Sequence, residues 1–231
     1  MPLPPAWTQF FFYPTVPLAC PICALPTGDG RPCILCSRLK MPELVGSASY
    51  LSYTWGRSHS PAYAFKNRNR FDEELRQEIV RLFGWMAYTR FRHIGEAACV
   101  VGAPPRTTIQ WGMQDHLDDL LLAIEQVNFC VLRNVFAFED QRLVVADASA
   151  ASMIRDTPII IVDNLLNTRS TARKMAAKLR ELGAAEIHLC IMARWIEGRF
   201  DAIGAVERYR DSLCATPEEI DQWYWNAFCE V

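Results

Sequence analysis

The sequence predicts an α/β fold in which helices flank a central parallel sheet, with a small cysteine-rich segment ahead of it. Residues 159–162 form a continuous apolar, β-branched run, which is typical of a strand buried on both faces. Apolar residues then recur at helical spacing between Ala172 and Leu182, and Gly183 is a natural helix stop. Residues 186–192 predict a second strand, so the repeating unit is strand, loop, helix and strand.

Two Cys-x-x-Cys pairs define the N-terminal segment: Cys20 with Cys23, and Cys33 with Cys36, nine residues apart. Each pair can hold one side of a tetrahedral ion, so four thiolates would complete a closed structural zinc site. The alternative is two redox pairs or disulfides, which a reducing compartment disfavours. A closed site leaves no open coordination position, so the zinc is predicted to serve folding and not catalysis. The remaining cysteines predict small core residues: Cys99, Cys130, Cys190, Cys214 and Cys229.

The composition limits the classes of function that the chain can have. The 231 residues are 51% hydrophobic and 22% charged, which is typical of a globular chain. A formal charge of −2 gives no reason to expect direct binding of nucleic acid. No apolar run approaches the roughly 20 residues of a membrane span. The aromatic patch at residues 10–12 lacks a basic leader, so we expect a cytoplasmic protein without a secretory signal.

The first half of the chain predicts short strands near Tyr50 and Trp55, then a long helix over residues 71–91. The inner face of that helix comprises Leu75, Ile79, Leu82, Phe83 and Met86. Its charged residues, Arg76 among them, predict a solvated face. Residues 97–101 predict the first core strand.

A second helix is predicted from Asp115 onward. Its inner face comprises Leu117, Leu120, Leu121 and Ile124. Residues 129–139 and 143–146 alternate as strands do, and the small polar residues 147–157 predict a flexible flap. His188, inside the strand over residues 186–192, predicts a hydrogen-bonded core histidine.

The polar loop between the central strand and its helix is the candidate ligand site. Such a loop brings backbone N–H groups and a helix N-terminus to one point, which suits a phosphate. Val162-Asp163-Asn164, followed by residues 167–171, resembles the phosphoribosyl pyrophosphate (PRPP) loop of type I phosphoribosyltransferases. That loop usually reads two acids, two hydrophobics and Thr-Thr-Gly-x-Thr.

The resemblance implies specific roles. Asp163 and Asn164 would hold the ribose hydroxyls at the catalytic centre. The residues that would wrap the 5′-phosphate are Asn167, Thr168, Arg169, Ser170 and Thr171. Three positions depart from the pattern: Asn164 replaces the second acid, Asn167 the first threonine and Arg169 the glycine. Glycine permits a tight turn around phosphate, so Arg169 either adopts an ordinary conformation that reshapes the cradle or gives its guanidinium to the anion.

A four-cysteine knuckle ahead of such a domain resembles the ComF family, over about residues 18–195. In type I phosphoribosyltransferases, the loop after the first core strand binds pyrophosphate. This implies a role for Gly102, Ala103 and Arg106. The pair Pro104-Pro105 has no N–H to donate there. This organisation divides the chain into residues 1–45 with the zinc ribbon, a phosphoribosyltransferase-like domain over 46–195, and a C-terminal helical extension over 196–231.

The extension predicts a helix beginning at Thr216-Pro217, with apolar and aromatic residues spread around it. These are Ile220, Trp223, Tyr224, Trp225 and Phe228. Either they pack on the domain or they form a docking surface for a protein partner.

Two functions from different classes follow. In the first, the chain is a phosphoribosyltransferase that binds PRPP with magnesium and transfers the phosphoribosyl group to a base or other acceptor. In the second, it is an effector or sensor subunit with altered or lost catalysis, which binds a ribose phosphate or nucleotide and acts through a partner. Chains with such an eroded loop resemble the phosphoribosyltransferase-like effectors of bacterial retron anti-phage defence systems.

Overall fold

The computed structural model describes residues 20–23, 29–55, 65, 73–94, 97–105, 117–166 and 169–196. Its strands are β1 (Ser47–Trp55), β2 (Cys99–Gly102), β3 (Cys130–Leu132), β4 (Phe136–Glu139), β5 (Arg142–Val145), β6 (Ile159–Leu166) and β7 (Ile187–Ile196). Five of them form a parallel sheet in the order β1-β7-β6-β2-β3, and β4 pairs with β5 as an antiparallel hairpin. The predicted α/β class, with a central parallel sheet flanked by helices, is confirmed.

The helices of the described residues are α1 (Ile34–Arg38), α2 (Met41–Leu44), α3 (Glu73–Phe91), α4 (Asp118–Gln126), α5 (Ala148–Ser152) and α6 (Ser170–Glu181). A 3₁₀ turn, Arg92–Ile94, follows α3. The helix predicted over residues 216–228 lies outside the described part of the chain.

Strand β6 is the centre of the sheet because β2 and β7 pair with it on either side. Residues 159–162 are at most 1% exposed. Burial of each such side chain contributes roughly 1.5–3 kcal/mol. The continuous apolar run therefore forms a strand that is covered on both faces, as the sequence predicts.

The inner faces of the helices are also as predicted. The buried residues are Ile79, Leu82, Phe83 and Met86 of α3, Leu117, Leu120, Leu121 and Ile124 at α4, and Ala172, Met175, Ala176 and Leu179 of α6. Gly183, with φ +89°, ends the turn after α6 in a conformation that favours glycine. His188 is buried, with Nδ1 2.8 Å from Ser47 Oγ and Nε2 3.2 Å from Glu186 Oε2, so it is the predicted core histidine.

Several local predictions are wrong. The strand predicted at residues 97–101 is present as β2, but it is not the first of the sheet, because β1 precedes it in the chain. The predicted flap contains α5, whose N-terminus is capped by Asp147 Oδ1 accepting from the Ser149 and Ala150 N–H groups. Cys130 is exposed because β3 is an edge strand, whereas Cys99 and Cys190 are buried as predicted. Cys214 and Cys229 lie outside the described residues.

Arg76 also departs from its predicted solvated face. It is buried, donates to Asp119 Oδ2 from Nε at 2.7 Å and to the Phe65 carbonyl from Nη1 at 2.9 Å, and lies over the Phe65 ring. A buried guanidinium needs such partners, so Arg76 joins α3 to the start of α4.

Candidate metal centre and phosphate-binding turn

Four cysteines converge at one edge of the fold. Their Sγ atoms all lie within 4.8 Å of one another, and all four residues are buried. A tetrahedral ion with metal–sulfur bonds of about 2.3 Å separates its sulfur ligands by about 3.8 Å. The Cys23 and Cys33 Sγ atoms are 3.7 Å apart, so this pair already fits the spacing of metal ligands.

The four thiols interact with one another, and their pKa values shift in opposite directions. The Cys36 N–H donates to Cys33 Sγ at 3.4 Å as α1 begins. Hydrogen bonding with Cys20 and Cys23 raises the pKa of both Cys33 and Cys36. Neighbouring thiols, Cys20 first, hold the pKa of Cys23 well below its ordinary value, and the positive charge of Arg194 acts in the same direction. Deprotonated sulfur is the form that coordinates a metal.

The cluster is packed against the sheet. Tyr50 Oη of β1 donates to the Ile22 carbonyl at 2.7 Å, and α2 contacts α6. The four cysteines therefore share the hydrophobic core with the strands.

Arg169 follows neither alternative that the sequence offered. Its backbone is left-handed, with φ 62° and ψ −2°, which is the region that glycine enters without strain. A non-glycine residue held there costs on the order of 1–3 kcal/mol. Its side chain is 1% exposed, and Nη2 donates to Cys23 Sγ at 3.2 Å. The turn thus keeps a glycine-like backbone while the guanidinium contacts the cysteine cluster.

Arg194 is a buried residue next to the cysteine cluster that sequence reasoning missed. It lies on β7 and is fully buried, with Nε donating to the Cys23 carbonyl at 3.0 Å and Nη1 donating to the Leu166 carbonyl at 3.1 Å. The only sequence signal was an arginine next to the apolar run of a core strand.

The predicted ribose-binding pair differs in environment. Strand β6 continues through Asp163 and Asn164 to Leu166, so these two consecutive side chains point to opposite faces of the sheet. Asp163 is half-buried, while Asn164 is 1% exposed. Within the described residues, the Asn164 Nδ2 group has no hydrogen-bond partner.

Helix α6 begins directly after the turn. Ser170 and Thr171 form its first turn, and Arg169 occupies the N-cap position without making a side-chain cap hydrogen bond. The first N–H groups of a helix have no intrahelical partner and carry a partial positive charge. Asn167 and Thr168 lie outside the described residues.

The second predicted loop, after β2, is built differently. The Ala103 N–H donates to the Val162 carbonyl at 2.8 Å, so it is used in the sheet. A Cβ at Gly102 would lie 3.1 Å from Leu121 Cδ1, so this glycine permits the close approach of α4. Arg106 lies outside the described residues.

Comparisons with known proteins give only distant similarity. No family model and no curated protein matches the chain. Among solved structures, a hypoxanthine phosphoribosyltransferase from Staphylococcus aureus is similar at a TM-score of 0.38, with 11% identity over 52% of this chain and 75% of that one. A hypoxanthine-guanine phosphoribosyltransferase from Bacillus anthracis is similar at 0.38, with 14% identity and coverage of 55% and 80%. A purine phosphoribosyltransferase from Pyrococcus horikoshii is similar at 0.34, with 14% identity and coverage of 51% and 70%.

The part of the chain that the structure describes contains no helix long and apolar enough to cross a bilayer.

Proposed function

We propose that this chain is a phosphoribosyltransferase-like protein that binds PRPP, or a related ribose phosphate or nucleotide, at the turn between β6 and α6. The observation that carries the proposal is the left-handed backbone of Arg169 at the start of a 12-residue helix whose N-cap residue makes no side-chain cap hydrogen bond. Glycine-rich turns that cradle phosphate at helix N-termini use the same features. The proposed 5′-phosphate contacts are Asn167, Thr168, Ser170, Thr171 and the backbone of Arg169.

In the enzymatic form of this proposal, the Asp163 carboxylate accepts hydrogen bonds from the ribose hydroxyls as C1 gains positive charge and pyrophosphate departs. The Asn164 amide lies buried on the opposite face of β6 and lacks the charge of a second acid. Magnesium, when bound with PRPP, neutralises charge on the pyrophosphate. The proposed pyrophosphate loop is Gly102 to Arg106. There the Arg106 side chain is the main contact, because the Ala103 N–H is already donated to Val162.

We assign zinc to the cysteine cluster, since four cysteine sulfurs within 4.8 Å of one another suit a closed structural zinc site. A four-cysteine cluster ahead of a parallel sheet supports the ComF-like organisation, with divisions near residues 45 and 195. Thiols that must remain reduced to hold the ion favour a cytoplasmic location.

The second candidate is an effector or sensor subunit, as in a retron anti-phage defence system. Two observations favour it over turnover: the second acid of the motif is the buried amide Asn164, and the Arg169 guanidinium contacts Cys23. Such a subunit would bind the ligand at the same turn and act through a protein partner, for which the aromatic residues 220–228 are the proposed surface.

Calorimetry with PRPP and magnesium tests the shared part of both candidates. We expect saturable binding by the wild type. Asp163→Ala should weaken it by roughly tenfold or more, because hydrogen bonds to a charged group are worth about 1.5–3 kcal/mol. Glu181→Ala is the matched control, since it removes an exposed carboxylate at the far end of α6 and should leave binding unchanged. If no phosphoribosyl ligand gives heat, both candidates are wrong.

Pyrophosphate release separates the two candidates. Release that depends on a base and is lost in Asp163→Ala supports the transferase. Saturable binding without release, across a panel of purine and pyrimidine bases, supports the effector.

A further inference from the structure

We infer that the metal-loaded cysteine cluster is the counter-charge of two buried arginines, Arg169 and Arg194, and that through them it sets the conformation of the β6–α6 turn. The two residues are 1% and 0% exposed and come from different elements, yet both contact Cys23. Arg169 reaches the Cys23 sulfur, and Arg194 reaches the Cys23 carbonyl.

These contacts involve the residues on either side of 167–168. Arg194 also donates to the carbonyl of Leu166, the last residue of β6, at 3.1 Å. Arg169, at the other end of the turn, is the residue that immediately precedes α6. Both ends of residues 167–168 are therefore tied to the same cysteine.

Charge explains why the metal matters to this arrangement. A divalent ion with four thiolates carries a net charge of about −2, and two guanidinium groups supply an equal positive charge. Buried charges persist in proteins when they are paired. Without the ion, the four sulfurs are no longer held at ligand spacing, so Arg169 and Arg194 would lose part of what holds them in place.

The consequence is a coupling between the metal and the turn. Loaded metal stabilises the left-handed Arg169, and a ligand that requires this turn should in return slow the release of metal, because linkage is reciprocal. The ligand part of the inference rests on the proposed function, whereas the part concerning the metal and the arginines does not. Arg169 is thus a positioning residue, since it acts through the backbone of the turn.

Metal release tests the first part. Purified metal-loaded protein is mixed with a chromophoric chelator in excess, and the release rate is followed by absorbance. Arg169→Gly removes the guanidinium but keeps a residue that adopts positive φ, so the turn can retain its shape. We expect release about 10-fold faster or more, since residues that support metal ligands typically change metal affinity by 10–100-fold.

Arg173→Ala is the matched control. Arg173 lies on the same helix and also donates to the cysteine-rich segment, but to the Leu39 carbonyl and from an exposed position. Its release rate should stay within about twofold of the wild type. Arg169→Lys keeps the charge without the planar guanidinium and should fall between the wild type and Arg169→Gly. It serves as the test variant if Arg169→Gly does not fold. Release from the folded variants at the wild-type rate would overturn the inference.

Ribose 5-phosphate tests the second part. Saturating ligand should slow metal release from the wild type by about threefold or more and should have no effect on Arg169→Gly. If calorimetry shows that ribose 5-phosphate binds but release from the wild type is unchanged, the coupling to the turn is refuted. If calorimetry shows no binding of any phosphoribosyl ligand, the proposed function fails, while faster release from Arg169→Gly would still support the counter-charge role.

Discussion

Strands β6 and β2 are neighbours in the sheet, yet their carboxyl ends offer different chemistry to a ligand. At the end of β6, a left-handed residue leads into a 12-residue helix without a side-chain cap. At the end of β2, the Ala103 N–H is donated to Val162, and Pro104 and Pro105 have no N–H. Among the described residues, we propose that the first end binds an anion through its backbone. An anion at the second would depend on a side chain, for which Arg106 is the proposed residue.

The two ends also differ in what supports them. The β2 end is held by apolar packing, with Gly102 allowing Leu121 of α4 to approach. The β6 end is held by buried charge, with Arg169 and Arg194 converging on Cys23. Perturbing the cluster should therefore affect the β6 end strongly, and perturbing the α4 contact should affect stability without affecting the ligand.

The largest expected effect is that of Cys23→Ser. It removes one metal ligand and the sulfur that accepts from the Arg169 guanidinium, which weakens the pairing of a buried charge. We expect metal content well below one ion per chain and a loss of about 3–5 kcal/mol in the free energy of unfolding. Elemental analysis and urea denaturation measure these quantities. Cys130→Ser, at an exposed cysteine outside the cluster, is the control and should change neither.

A smaller effect is expected at the β2 end from Gly102→Ala. The new Cβ would lie 3.1 Å from Leu121 Cδ1, and that side-chain end can shift, so we expect a cost of about 1 kcal/mol in urea denaturation. PRPP affinity should remain unchanged, because Gly102 packs against α4 and the proposed pyrophosphate contact of this loop is the Arg106 side chain. At Gly46 the nearest atoms would be 3.7 Å away, so Gly46→Ala should cost less and is the matched control. If Gly102→Ala greatly lowered the affinity for PRPP without lowering the free energy of unfolding, the β2 end would contain a ligand contact and this prediction would be wrong.

The smallest effect concerns pH and His188, which joins β7 to β1. Burial lowers the pKa of His188, with Glu186 opposing this and with His93 and Arg180 adding to it. The unfolded chain has an ordinary histidine pKa of about 6.5, so the unfolded state binds the proton more readily. The stability contributed by neutral His188 is therefore complete above that value and is lost as pH falls below it.

Urea midpoints between pH 7.5 and 5.5, with metal content monitored, test this prediction. The stability of His188→Gln should depend less on pH than that of the wild type. His93→Gln should change the slope only slightly, because exposed His93 is a minor cause of the lowered pKa of His188. Equal slopes for wild type and His188→Gln would show that other groups account for the pH dependence.

The sequence predicted what depends on local periodicity. Apolar spacing located the inner faces of α3 and α6, and the β-branched run located β6, because burial follows directly from the helical and strand repeats. Cysteine spacing predicted the cluster for a similar reason, since the two pairs must supply four ligands.

Prediction from the sequence failed for residues whose environment depends on a distant part of the chain. Arg169 contacts Cys23 across 146 residues, and Arg194 contacts it across 171. No local pattern reports such pairs, so Arg169 was expected either at the anion or in an ordinary conformation. Arg76 was missed for the same reason, because its partner Asp119 lies 43 residues away. Cys130 was misjudged because edge position depends on strand order.

The most direct test of the account is the response of individual backbone amides to ribose 5-phosphate in a ¹⁵N-labelled, metal-loaded protein. We predict saturable chemical-shift changes centred on the amides of Ser170 and Thr171, with little change at Ala103. Shifts confined to the β2 end, or saturable binding with no change at residues 169–171, would contradict the claim that the β6–α6 turn holds the phosphate.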